Sequence, residues 1–189
     1  LKDKKDIAAL ISGCRKGQAR YQKALVDNYS DLLFSVCRRY MGEDSKAQDA
    51  LQETFIRVFR SFNTYDAEKG ALTSWMRKIA VNCCLRSLSK KNLEISNLSI
   101  VDYDQRYSIN AAAVSNLQKE DLLDLVKSLP DGYRQVFNLS VIEGYSHREI
   151  GIMLGIKAVS SRSNLSRAKD LLRKKISELN SKEQWTKTN

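Results

Sequence analysis

Residues 146–175 constrain this chain more than any other stretch: SHREIGIMLGIKAVSSRSNLSRAKDLLRKK. Ser146 followed three positions later by Glu149 is a capping box. In that motif the serine oxygen accepts from an early helical N–H and the carboxylate reaches back to the serine N–H. Ile150, Met153 and Leu154 then share one helical face. Gly151 leaves room for another helix to approach. Gly155 stands where a chain leaves a helix through a left-handed residue, the conformation that costs glycine least. A second helical pattern puts Leu165, Ala168, Leu172 and Ile176 on one face. Two short helices joined by a tight glycine turn read as a helix-turn-helix.

The charge agrees. Residues 146–175 hold eight bases and two acids, a net +6 within a chain of net +10. Arg162, Ser163, Ser166 and Arg167 lie off the apolar face, at i, i+1, i+4 and i+5, and form a patch suited to a DNA major groove. Arginine can donate two parallel hydrogen bonds to guanine, and serine can bond a phosphate or a base edge. Lys169, Arg173 and Lys174 come later and are expected nearer the phosphate backbone. The competing account is a solvated basic face on an ordinary helical hairpin. Motif and charge together favour DNA.

The rest of the composition narrows the fold and excludes other chemistries. The 189 residues suffice for one or two domains, and 42% hydrophobic content supports a packed core. One proline and eight glycines are too few turn formers for an all-β chain, so the expected class is all-α. A net charge of +10 implies an acidic partner, either nucleic acid or an anionic membrane. No apolar run approaches the roughly 18 residues of a membrane span, and LKDKKDIAALISGCRKG lacks the apolar core of a signal peptide. A cytoplasmic protein without membrane insertion is expected. Cys14, Cys37, Cys83 and Cys84 form no CxxC pair and His147 is the one histidine, so neither a metal nor another cofactor is expected. The cysteines fall on or beside apolar stripes and are expected to be small buried side chains. With no metal cluster and no phosphate-cradling glycine loop, an enzyme acting on nucleic acid fits poorly.

Helical periodicity divides the chain into two small domains. Residues 1–89 form the first. It opens on Ile7, Leu10, Ile11 and Cys14, followed by a long helix from about Gln18 to Met41 that Gly42 ends. Next, Ala47, Ala50, Leu51, Thr54, Phe55, Val58, Phe59 and Phe62 mark a strongly amphipathic helix. Its other face carries Asp49, Gln52, Glu53 and Arg57, a mixed-charge surface. NTYDAEKGA, residues 63–71, is a polar loop holding Asn63 and Lys69. Leu72, Trp75, Met76, Ile79, Ala80 and Cys83 form a fourth helix that also displays Arg77, Lys78, Asn82 and Arg86. An aromatic-containing loop leading into a basic helix can stack an unpaired base and hold its backbone. Trp75 has core spacing to Ile79 and Cys83. Residues 90–117 keep no period and read as a polar, flexible linker. Residues 118–180 form the second domain. It starts at Leu122, Leu125, Val126 and Leu129, with Pro130 opening the next helix. The tail 181–189, SKEQWTKTN, is expected to be frayed.

In this order of parts the chain resembles the bacterial extracytoplasmic-function (group 4) sigma factors over nearly its whole length. DALQETFIRVFRSF is similar to their region 2.2, ALTSWMRKIAVN to regions 2.3 to 2.4, and SLPDGYRQVFNLSVIEGYSHREIGIMLGI with the basic helix to region 4. The resemblance implies two helical domains, no catalytic site, and core RNA polymerase, promoter DNA and an anti-sigma protein as partners. It implies polymerase docking by Asp49, Gln52, Glu53 and Arg57. It implies −10 element contacts by Asn63, Lys69, Trp75, Arg77, Lys78, Asn82 and Arg86. The −35 element would meet Arg162, Ser163, Ser166, Arg167, Lys169 and Arg173. Asp102 and Asp104 of the linker could follow a basic polymerase channel. This chain departs from the family at the start of the recognition helix. Ala158-Val159 replaces the usual acid-glycine pair, and Ser161 stands where a branched apolar residue is usual. The alternative is a conventional helix-turn-helix regulator that binds operator DNA as a dimer, with residues 1–90 sensing or dimerising.

Overall fold

The computed structural model describes residues 4–94 and 119–188. Their regular structure is entirely helical and falls into two compact units that divide between Leu93 and Glu94. Most of the expected linker, with Asp102 and Asp104, lies outside the described residues.

The first unit contains α1 (Lys4–Arg15), α2 (Ala19–Met41), α3 (Asp44–Ser61) and α4 (Leu72–Glu94). On α3 the predicted period is the observed one, whereas α2 buries Leu33 and leaves Leu32, expected on its apolar stripe, exposed. Leu25, Leu33, Val36, Cys37 and Tyr40 of α2 are buried, as are Ala47, Ala50, Thr54, Phe55 and Val58 of α3. Thr54 is fully buried, and its hydroxyl donates to the Ala50 carbonyl one turn back at 2.6 Å. The four cysteines are free and buried. Cys37 and Cys84 share a hydrogen bond between α2 and α4, and that bond, with burial, pushes the Cys84 thiol well above the usual thiol range. Met76, Ala80, Val81, Cys83, Cys84, Leu85 and Leu88 are all buried, so α4 is covered around most of its circumference and keeps only a narrow exposed strip. The helix runs to Glu94, five residues past the expected domain end at 89. Residues 90–94 are Lys, Lys, Asn, Leu and Glu, mostly good helix formers, and no glycine or proline stops them.

The second unit contains α5 (Lys119–Lys127), α6 (Asp131–Phe137) continued by a π-helical turn (Asn138–Ile142), α7 (His147–Leu154) and α8 (Ala158–Thr188). Leu125, Leu129, Ala168, Leu172 and Ile176 form its buried cluster, with Tyr133, Phe137 and Leu171 packed against it. Leu122, on the expected apolar stripe of α5, is instead exposed. The α5–α6 turn closes on a buried arginine. Arg134 donates from Nη1 to the carbonyls of Lys127 at 2.9 Å and Leu129 at 2.7 Å, and its Nη2 pairs with Asp131. The Lys127 carbonyl is the last of α5 and the Leu129 carbonyl lies in the turn beyond it, so neither is satisfied within a helix. The α8 helix runs through Thr188, into the segment expected as a tail, which has no glycine or proline to stop it.

Candidate nucleic-acid interface

Local chemistry fixes the angle between α7 and α8. Ser146 caps α7 as expected: its N–H donates to Glu149 Oε2 at 2.8 Å, and its Oγ accepts from the Glu149 N–H at 3.3 Å. The Ser146 hydroxyl and backbone N–H hold the Glu149 carboxyl below its ordinary range. Gly155 ends the helix at φ 68°, in the left-handed region, and its N–H bonds back to the Gly151 carbonyl. The Ile156 N–H donates to that same carbonyl at 3.0 Å. A Cβ on Gly151 would stand 2.7 Å from the Ile156 carbonyl oxygen. Gly151 is therefore the seat of the turn, and the close approach it permits is to the turn backbone.

A second tie crosses the motif. Ser161 is fully buried, and its hydroxyl lies 2.9 Å from Nδ1 of His147, the first residue of α7. The departure from an apolar residue at this position is thus chemically satisfied, because the buried hydroxyl has a partner on the facing helix. His147, which has no place in a catalytic reading, acts here as a structural partner.

The outer side of α8 presents Arg162, Ser166, Lys169 and Arg173 at i, i+4, i+7 and i+11, which is a single row along the helix. Arg162, Ser166 and Lys169 are exposed and Arg173 is half-buried; Ser163 is exposed beside the row. Arg173 lies about 16 Å along the axis from Arg162, more than the roughly 12 Å width of a major groove. It pairs with Asp170 at 2.8 Å. Arg167 is half-buried at the border between the exposed and packed sides, so it stands apart from the row in which sequence spacing groups it. Val159 is exposed on the same side as Arg162 and Ser163.

The first unit carries a second polar strip. Residues 62–69 form two 3₁₀ turns, Phe62–Thr64 and Ala67–Lys69, pinned by three bonds. The Tyr65 hydroxyl donates to the Gly70 carbonyl at 3.1 Å, Arg15 Nη2 to the Tyr65 carbonyl at 2.6 Å, and the Glu68 N–H to Asp66 at 3.0 Å. Asn63 and Lys69 are exposed on this loop, with Lys69 Nζ 3.5 Å from Asp66. Trp75 is half-buried, its ring 5.6 Å from Phe62 and 5.3 Å from Tyr65, so it belongs to an aromatic cluster that holds the loop on α4. Lys78, Asn82 and Arg86 follow at i+3, i+7 and i+11 from Trp75 and are exposed. Arg77 does not join them. It is half-buried on the opposite, packed side of α4 and is engaged with a partner.

On α3, Asp49 and Gln52 are exposed, while Glu53 and Arg57 are half-buried and joined by a 2.5 Å bond from Arg57 Nε to Glu53 Oε1. The pair pre-shapes the face. Ile56 lies among them and is 45% exposed, an apolar centre that the amphipathic count passes over because it falls outside the buried stripe.

The family model for sigma-70 region 2 matches residues 25–94, and that for sigma-70 region 4 matches residues 119–172; together they cover more than half of the chain. An ECF RNA polymerase sigma factor, SigE, of Mycolicibacterium smegmatis is 32% identical over 153 residues, which is 79% of this chain and 59% of that protein, so this chain spans less than two thirds of that relative's length. SigW, an ECF RNA polymerase sigma factor of Bacillus subtilis, is 27% identical over 180 residues, 89% of this chain and 96% of the relative. Among solved structures, the sigma factor RpoE of Bartonella quintana, in complex with the anti-sigma factor NepR, shares the fold with a TM-score of 0.50 at 19% identity, covering 80% of this chain and 94% of that one.

Proposed function

The chain belongs to the sigma-70 family, as an alternative sigma factor of the extracytoplasmic-function type, and from that premise we propose that it is a cytoplasmic group 4 member that binds core RNA polymerase, brings it to −35 and −10 promoter elements and promotes DNA melting. It performs no catalysis of its own. Residues 118–180 would read the −35 element in duplex form, residues 1–89 would dock on polymerase and hold the −10 element, and residues 90–117 would join them.

The observation that carries this reading is the row Arg162, Ser166, Lys169 and Arg173, exposed at its first three residues, on a helix whose start is braced by the Gly151 turn and the His147–Ser161 bond. A braced helix presents side chains to a groove in one register, the condition for reading base edges. Docking falls to the α3 face of Asp49, Gln52, Glu53 and Arg57, to which we add Ile56: polar groups steer encounter and an apolar centre supplies affinity. The −10 set is Asn63, Lys69, Lys78, Asn82 and Arg86, with Trp75 as the wall of the loop; Arg77 is left out because of its packed position. An anti-sigma protein is the expected inhibitor, as the Bartonella relative is bound by one. Among the described residues no helix is long and apolar enough to cross a membrane.

A regulator that binds operator DNA as a dimer is not favoured, since region 2 of sigma-70 fills the part such a protein would use for sensing or dimerising. The decisive test is a titration of the chain against core polymerase, followed by permanganate probing of promoter opening. Asp49→Arg with Glu53→Arg should keep the helical circular dichroism and weaken core binding about tenfold or more, since like charges now face a basic partner patch. Tight binding of the free chain to a palindromic duplex, with no effect of polymerase, would overturn the proposal.

A further inference from the structure

Val159 is the second residue of the recognition helix, and 66% of it is open to solvent. It lies three and four positions before Arg162 and Ser163 and seven before Ser166, so all four share a face. Its neighbours on that face are polar. The opposite side of the helix, with Ser161 and Ala168 fully buried, makes the packing contacts. Val159 therefore contributes nothing visible to the core of its own unit, yet it occupies the end of the helix that, in this motif, meets base edges.

We propose that Val159 is a specificity-determining residue that selects a T·A pair in the −35 element by packing its methyl groups against the thymine C5-methyl. The inference rests on the promoter-reading function proposed above. The C5-methyl of thymine is the one methyl group that the four bases present in the major groove, beside a pattern of hydrogen-bond donors and acceptors. A valine laid against the amino group of cytosine or the acceptors of guanine would strip them of water and return no bond, which penalises those bases. Valine is also stiff at χ1 because it is β-branched, so its methyls are held in place without the ordering cost a longer side chain would incur. Arg162 and the serines then read polar edges beside it, and the face combines one apolar contact with several polar ones.

The test removes the methyl from the DNA and from the protein in turn. The preferred −35 sequence is first selected from a randomised library with holoenzyme. Each thymine on either strand is then replaced by deoxyuridine, which keeps every hydrogen-bonding group and deletes the C5-methyl alone. With the natural chain, one thymine should be sensitive, its replacement weakening holoenzyme binding about fourfold, the equivalent of one buried methyl group. Val159→Ser should weaken the thymine promoter by a similar factor and become indifferent to uracil. Val159→Thr, which keeps one methyl, should retain part of the response. 5-Methylcytosine should serve better than cytosine at that position for valine but not for serine. A selected element with no thymine opposite the start of the helix, or a uracil response unchanged in Val159→Ser, overturns the assignment while −35 reading by Arg162 and Ser166 stands. Transcription indifferent to every −35 base would instead overturn promoter reading by this helix, and the assignment with it.

Discussion

Replacing Gly151 by alanine should disturb the recognition helix from a position that faces no DNA. A Cβ there would lie 2.7 Å from the Ile156 carbonyl oxygen, whereas an ordinary carbon–oxygen contact is about 3.3–3.6 Å. The turn must retreat by roughly 0.6 Å or more to restore that separation. It cannot do so freely, because the Ile156 N–H is bonded to the Gly151 carbonyl at 3.0 Å and the obstructing atom is backbone. Overpacking of this kind costs about 1–3 kcal/mol. Alanine returns up to about 1 kcal/mol through its helix preference. The second unit should therefore lose about 0–2 kcal/mol, and Gly151→Val, with a larger and β-branched side chain, should lose more. Hydrogen exchange is the suitable assay, since it resolves one unit of a two-unit chain. Amides of α7 and the first turns of α8 should exchange up to about thirtyfold faster, and −35 selectivity should blur while core-polymerase affinity holds. Gly132→Ala is the control, for a Cβ on Gly132 meets nothing within 4 Å and should be neutral or stabilising. If Gly151→Val, too, leaves both exchange and −35 selectivity unchanged, the turn is not seated on Gly151.

The remaining expectations test the other ties. Ser161→Val gives up the bond to His147, worth about 0.5–1.5 kcal/mol, but buries more apolar surface, worth about 1.5 kcal/mol; the urea midpoint of the second unit should hardly move, and a loss beyond about 2 kcal/mol would mean that the serine–histidine bond dominates the site. Glu149 has its carboxyl pKa lowered by the Ser146 hydroxyl and backbone N–H, so its contribution is present above the unfolded carboxylate pKa and is lost as pH falls through the lower folded value. Exchange at the start of α7 should accordingly quicken on acidification below the usual glutamate range, and Glu149→Gln should flatten that dependence; an identical pH profile in the variant would dismiss the capping box as its source. Lys78→Ala with Arg86→Ala should lower permanganate reactivity of the open promoter and leave −35 duplex binding intact, and a matched loss in both assays would disprove the division of labour between the units.

The helices were legible because their apolar residues recur with one period and their ends carry specific residues. The Gln18–Met41 helix was read to within one residue because Gly42 ends it, and α7 because Ser146, Glu149 and Gly155 bracket it. Where no breaker exists, helices run past the expected boundaries: α4 continues to Glu94 and α8 to Thr188. Side-chain environment was harder to read. Arg77 and Lys78 are neighbours in sequence and equally basic, yet one is packed and the other exposed, because α4 is covered on several sides and its free strip is narrow. The buried bond between Ser161 and His147 joins residues 14 apart through the angle of two helices, and no local pattern encodes it.

The two polar faces differ in width, and the width bears on what each can hold. On α8 the row Arg162, Ser166, Lys169 and Arg173 is flanked by exposed Val159 and Ser163, so the face is more than one side chain across. Such a face can meet base edges at its centre and phosphates at its far end, as a helix lying in a duplex groove must. On α4 the exposed basic and amide side chains make a single line: Lys78, Asn82 and Arg86 succeed one another at four-residue intervals, about 6 Å apart, with the small exposed serines Ser74, Ser87 and Ser89. Buried and half-buried side chains border most of that line, and among the described side chains of α4 there is no second charged row with which to straddle a groove. What it can follow is one backbone. At its head the aromatic cluster of Phe62, Tyr65 and Trp75 stiffens a loop carrying exposed Asn63 and Lys69. A pinned loop beside a single cationic line suits a strand already separated from its complement, since every unpaired base offers a face and an edge and the line offers counter-charge to its phosphates. On the proposed reading, the burial pattern of α4, rather than its basic composition, would direct it to melted DNA and leave the duplex to α8.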